Sequence, residues 1–113
     1  MKTAIVGSRS FTSEYEFVIN IAKYNITHIV SGGAIGADTL AEEYADTFGI
    51  PKTIIKPEWS KFGRVAGFIR NKQIVDSCEQ LIAFWDGYSK GTADTITYAR
   101  KKLHKDNIHI ILV

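Results

Sequence analysis

The stretch Ser31-Gly32-Gly33-Ala34-Ile35-Gly36-Ala37-Asp38 lies between an apolar run and an amphipathic one. It constrains the fold more than any other part of the chain. Ahead of it, Ile26-Thr27-His28-Ile29-Val30 is short and rich in β-branched residues, the pattern of a buried strand. Behind it, Leu40, Ala41, Tyr44, Ala45 and Phe48 recur at three- and four-residue spacing, which predicts a helix. A strand that passes through glycines into a helix exposes backbone N–H groups at the positive end of the helix dipole. Free donors and dipole together suit a phosphate or carboxylate. Gly33 and Gly36 permit a tight turn and close backbone approach, while Ala34 and Ala37 are small enough to leave the mouth open. A plain strand–helix connection without a ligand is the competing reading.

The remaining chain alternates in the same way. Thr3–Val6 reads as a first strand followed by the polar loop Gly7-Ser8-Arg9-Ser10. Ser13 and Glu16 form a capping-box pattern that opens a helix carrying Phe17, Val18, Ile21 and Ala22. Gly49 and Pro51 end the helix after the glycine loop, and residues 52–56 read as a third strand closed by Pro57. Residues 58–66 read as a loop, and residues 66–78 as a third helix. Gln80–Trp85 is a fourth strand, followed by a second glycine-bearing loop, residues 86–92. A helix over 92–104 and a strand over 108–113 complete the order. Five strands with four intervening helices predict an α/β fold of three layers, a single open sheet of about five parallel strands with helices on both faces. Ligands of such sheets sit at the carboxyl ends of the strands, where the loops at 7–10, 31–38 and 86–92 all lie.

A chain of 113 residues is one domain, residues 1–113. A net charge of +2 gives no argument by itself for DNA or a membrane surface, and no apolar run approaches the length of a membrane span. A single cysteine, Cys78, excludes an internal disulfide and fits a reducing cytoplasm, and nothing resembles a signal peptide. His28, His104 and His109 lack metal-ligand spacing, so no metal or other cofactor is expected. Serine at position 31, where a dinucleotide fingerprint has its first glycine, and Lys56 after the third strand argue against NAD. The absence of a Lys-Ser/Thr ending argues against a Walker A loop.

Among single residues, Arg9 can fork onto a phosphate, and Arg70 with Asn71 approaches the same edge. The Arg70 side chain is expected to face the cleft, so that its loss leaves the ligand-free fold unchanged. Asp38 can touch a ligand or fasten the loop at the helix terminus, and fastening is the favoured role. Asp86 can accept from a ribose hydroxyl or from the N–H groups of the following turn. Lys61, Arg64, Arg70, Lys72 and Lys90 offer a basic rim, and Trp59, Phe62, Trp85 and Tyr88 offer rings for base stacking.

Four ordered motifs carry a resemblance across nearly the whole chain: Ile5-Val6-Gly7-Ser8-Arg9, residues 31–38, Ala66-Gly67-Phe68-Ile69-Arg70-Asn71, and Phe84-Trp85-Asp86-Gly87-x-Ser89-x-Gly91-Thr92. Together they resemble the YspA/YpsA-related branch of the SLOG superfamily. The resemblance implies a Rossmann-like fold that binds a phosphorylated nucleotide or nucleotide-derived ligand, as a sensor in one reading, and by analogy a homodimer. It implies site residues Gly7, Ser8, Arg9, Ser31, Gly32, Gly33, Ala34, Gly36, Asp38, Arg70, Asn71, Trp85, Asp86, Gly87, Ser89, Gly91 and Thr92. Phosphates would lie on the backbone at 32–37 and 91–92, with the base on Trp85 or Tyr88. Lonely-guy phosphoribohydrolases are similar at Arg70 and Gly91-Thr92 and suggest an N-glycosidic hydrolase. They place a glutamate where this chain has Thr95, which lacks the acid–base chemistry of a carboxylate. Asp94 points about 100° away on a helix. DprA-type proteins are similar at residues 6–9 and 31–38 and suggest a single-stranded nucleic-acid module.

Overall fold

Short apolar runs form the strands of the computed structural model, which describes residues 1–113. The strands are β1 (Lys2–Gly7), β2 (His28–Ser31), β3 (Lys52–Ile54), β4 (Gln80–Trp85) and β5 (Ile108–Leu112). They make one all-parallel sheet in the order β3-β2-β1-β4-β5. Parallel neighbours need crossovers. These are supplied by α1 (Glu14–Ile21), α2 (Ala37–Phe48), the short α3 (Trp59–Phe62) with α4 (Ala66–Asp76), and α5 (Lys90–Lys102).

The period-two alternation of the central strands divides the core between two faces. Ile5, Ile29, Ile82 and Phe84 point to one side, where Phe17 and Ile21 of α1 and Ala37, Ala41 and Ala45 of α2 cover them. Ala4, Val6, Val30, Leu81 and Ala83 point to the other, against Ile74 and Val75 of α4 and Ile96 and Ala99 of α5. Phe84 anchors the first face between Phe11 and Phe17, with ring centroids 4.9 and 5.1 Å away. Three small alanines on α2 let that helix lie close to the sheet.

The expected alternation of elements is present, with shifts at several ends. Residues 58–66, expected as a loop, hold α3 and a 3₁₀ turn, Gly63–Val65. Four residues are too few to display helical periodicity, and this turn instead takes its shape from backbone bonds, with Lys61 and Phe62 N–H donating to the Glu58 carbonyl. Strand β2 starts two residues later and ends one residue later than expected, and β3 stops at Ile54 rather than Lys56. Helix α5 begins at Lys90, two residues before the expected start, with Ser89 at its N-cap.

Strand order reverses between β1 and β4. The chain winds outward from β1 through β2 to β3, then returns to place β4 on the other side of β1. A crevice opens there at the carboxyl ends of the strands.

Candidate functional site

That crevice is a cavity of about 450 Å³. Four segments line it: Val6–Ser10 at the end of β1, Ala34 and Asp38 after β2, Arg70, Asn71 and Ile74 of α4, and Ser89–Thr92 with Thr95 at the start of α5.

The start of α5 is held by a small polar clamp. Asp86 Oδ1 accepts from the N–H groups of Tyr88 and Ser89, both at 2.8 Å, and Oδ2 lies 2.9 Å from Ser89 Oγ. These bonds to Ser89 and Tyr88 pull the Asp86 carboxyl down to about 2. Ser8 joins the clamp, accepting from Asp86 N–H at 3.1 Å and meeting Ser89 Oγ at 3.1 Å. Ser89 makes no side-chain bond to the helix that it begins. The N–H groups of Lys90, Gly91 and Thr92, which have no acceptor one turn back, therefore remain for the cavity those residues line. Thr92 is 6% exposed, lines the cavity, and its hydroxyl holds no partner in the protein. At the mouth, Arg9 and Lys90 are exposed. Neither is in an ion pair, for the ion pairs of the protein are Lys52–Asp46 and His104–Asp106.

The loop after β2 is built differently. Ser31 Oγ accepts from Gly33 N–H at 3.4 Å, and Asp38 Oδ2 accepts from Ala34 N–H at 3.1 Å. Two donors of the expected cradle at 32–37 are thus occupied by the protein itself. Asp38 fastens the loop, as favoured from its position. Gly36, at φ +84°, packs its backbone against the carbonyls of Ser8 and Arg9, where a Cβ would collide with both.

A chain of bonds joins this loop to α5. Arg70 Nη1 donates to the Gly32 carbonyl at 2.6 Å and Nε to Asn71 Oδ1 at 3.1 Å. Asn71 Nδ2 donates to the Gly91 carbonyl at 3.3 Å and to Asp94 Oδ2 at 3.2 Å. The expectation of an Arg70 free of structural work is corrected here: the guanidinium lies on the cavity but two of its donors already hold the fold. Burial lowers its pKa, nearby Asp38 raises it and Arg9 lowers it again, and the group stays charged. Asp38 is 5% exposed, and burial raises its carboxyl to about 6 against the opposing pull of the Ala34 N–H and Arg70. Glu42 adds to the upward push.

Of the residues singled out from the sequence, Gly7, Ser8, Arg9, Ala34, Asp38, Arg70, Asn71, Ser89, Gly91 and Thr92 line this one cavity. Ser31, Gly32, Gly33, Gly36, Trp85, Asp86 and Gly87 do not; they shape the loops around it. Trp85 packs on the core beneath α4 and α5 and donates from Nε1 to the Ser89 carbonyl at 3.1 Å, whereas Tyr88 stands 88% exposed. Of the expected basic rim, Arg70 and Lys90 reach the cavity; Lys61 lies over Phe62 and Lys72 over Tyr98. Ser10 and Thr95 line the cavity without having been named as binding residues from the sequence. Reading Ser89 as an N-cap would have put Thr92 and Thr95 on one helix face, three residues apart. No cluster of three or more His, Cys, Asp or Glu side chains is placed to hold a metal ion, and no helix is long and apolar enough to cross a membrane.

The overall arrangement matches DNA processing protein A from Helicobacter pylori, solved to describe its single-stranded DNA binding mode, with a TM-score of 0.72. The fold is Rossmann-like. The match covers 97% of this chain and 64% of that one at 19% identity, which is likeness of fold. In sequence, the chain is 32% identical over 79 residues to the Gene 61 protein of Mycobacterium phage D29, covering 65% of this chain and 63% of the phage protein. In both comparisons the match spans less than two thirds of the relative's length. No protein-family model matches the chain.

Proposed function

We propose that the cavity binds the phosphate of a nucleotide or nucleotide-derived ligand, with the anion seated at the N-terminus of α5. The observation that carries this reading is the Thr92 hydroxyl, which makes no hydrogen bond within the protein and belongs to a residue lining the cavity beside the open N–H groups of the first helical turn. A phosphate oxygen would accept from this hydroxyl along with the helix N–H groups. Arg9 and Lys90 supply unpaired positive charge at the mouth, and Arg70 adds a charge held in place by Gly32. A volume of about 450 Å³ suits a small ligand.

Binding, as in a sensor, accounts for these features more fully than N-glycosidic hydrolysis does. Thr95 lines the cavity with its hydroxyl donated to the Gly91 carbonyl at 3.0 Å, so α5 offers no carboxylate there. The four ordered motifs support membership of the YspA/YpsA-related branch. A cytoplasmic setting accords with this reading and with Cys78, a free thiol that burial pushes up to about 11.

A second reading, a single-stranded DNA module, is favoured by the fold shared with DNA processing protein A. Against it, no aromatic ring lines the cavity to receive a base. Titration with AMP and with oligodeoxythymidylates of increasing length, at low and physiological salt, separates the two. The small-ligand reading predicts saturable AMP binding and weak oligonucleotide binding that ignores length. Affinity that climbs with length and falls steeply with salt would assign the site to single-stranded DNA.

A further inference from the structure

We infer that Asp38 makes the cavity selective for the sugar of its ligand: its carboxylate receives a ribose hydroxyl, so the site reads a ribose phosphate and leaves the base outside. This inference rests on the phosphate reading above. Asp38 is the one carboxylate on the cavity wall, which also holds three cations, Arg9, Arg70 and Lys90. Its Oδ2 is occupied by the Ala34 N–H. That is the one donor the carboxylate holds at full hydrogen-bond geometry, and it leaves Oδ1 open on a residue 5% exposed. An ionised oxygen left open on a cavity wall gains from a donor, and the phosphate itself has none to give at neutral pH. Another part of the same ligand can supply that donor in place of water.

Nucleotides carry donors on the sugar and on the base, and the cavity wall chooses between them. Its apolar residues are Val6, Ala34 and Ile74, with no aromatic side chain, so nothing inside offers a face to a purine or pyrimidine. Small polar residues, Ser8, Ser10 and Thr92 among them, suit a hydrated, hydroxyl-rich ring instead. The phosphate at α5 and the hydroxyl at Asp38 place the sugar between the two ends, and the base then leaves through the mouth.

The test is calorimetric titration of AMP, dAMP and ribose 5-phosphate into the wild type and Asp38→Asn. A charge-assisted bond to the 2′-hydroxyl predicts dAMP weaker than AMP by about tenfold or more, and ribose 5-phosphate close to AMP. In Asp38→Asn the ratio of AMP to dAMP affinity falls towards one. That ratio compares two ligands on the same protein, so partial loss of folded variant does not move it. Equal binding of AMP and dAMP by the wild type overturns the role of Asp38 and leaves the phosphate site standing. Ribose 5-phosphate far weaker than AMP overturns the external base. Absence of binding by all three compounds overturns the phosphate reading, and this inference with it.

Discussion

Arg70 and Gly32 lie thirty-eight residues apart in sequence and are joined by a hydrogen bond of 2.6 Å from Nη1 to the carbonyl oxygen. The bond ties α4 to the loop after β2, and Asn71 extends it to α5 through Gly91 and Asp94. A side chain on the ligand cavity thus also sets the spacing of the loops that form it.

Arg70→Ala should therefore lower stability before any ligand is added. The loss leaves the Gly32 carbonyl without its partner and Asp38 without its nearest positive charge. A charge-assisted bond of this kind predicts a cost of about 1.5–3 kcal/mol, read from the midpoint and slope of urea unfolding. An unchanged midpoint would show that the bond does not contribute to the fold.

Two glycines should respond in opposite directions to alanine. Gly36→Ala forces a Cβ onto the Ser8 and Arg9 carbonyls at a φ of +84°, and should cost more than about 2 kcal/mol. Gly91 lies inside α5 with open space where its Cβ would go, so Gly91→Ala should gain about 0.5–1 kcal/mol. Thermal unfolding of the two variants checks both signs.

Asp38 predicts a pH dependence of stability in the acid range. Its folded pKa, about 6, lies above the ordinary 3.8, so the folded state binds this proton more tightly than the unfolded chain does. The contribution of this group is full below pH 3.8 and is lost as pH rises through 6. The whole change is of order 3 kcal/mol at most. Urea unfolding at pH 5 and pH 7.5 should show a gain at the lower pH in the wild type that is missing in Asp38→Asn. A gain of equal size in both proteins would assign it to other groups.

Thr92→Val keeps shape and removes the unpartnered hydroxyl. It should leave unfolding unchanged or slightly improved, because the hydroxyl has no partner in the protein to lose. It should weaken AMP by about tenfold, the worth of one good hydrogen bond to a charged group. Calorimetry on a variant of unchanged melting temperature reads this directly.

The sequence made the fold legible because strand and helix periods alternate cleanly, and because Ser13, Gly49 and Pro51 mark helix ends with known geometry. The parallel sheet and the convergence of the loops after β1, β2 and β4 follow from that alternation. Side-chain duties within those loops were less legible. Gly33 and Ala34 form part of a glycine loop before a helix, the pattern of an anion cradle, yet Ser31 Oγ and Asp38 Oδ2 take their N–H groups. Whether a donor is free depends on whether a side chain two or four residues away folds back onto it, which spacing does not encode. Arg70 shows the same limit, since its partner is a backbone carbonyl that no sequence pattern marks. Thr92 became distinctive only when burial and the absence of a partner were both known.

The most direct measurement is the ¹⁵N–¹H spectrum of the protein titrated with AMP. Phosphate at the N-terminus of α5 predicts saturable shifts concentrated at the amides of Lys90, Gly91 and Thr92, with the same dissociation constant at each. Smaller shifts should follow at Ser8 and Arg9 across the cavity. Binding that moves the amides of residues 32–36 and leaves 90–92 in place would contradict the account, as would spectra unchanged at millimolar AMP.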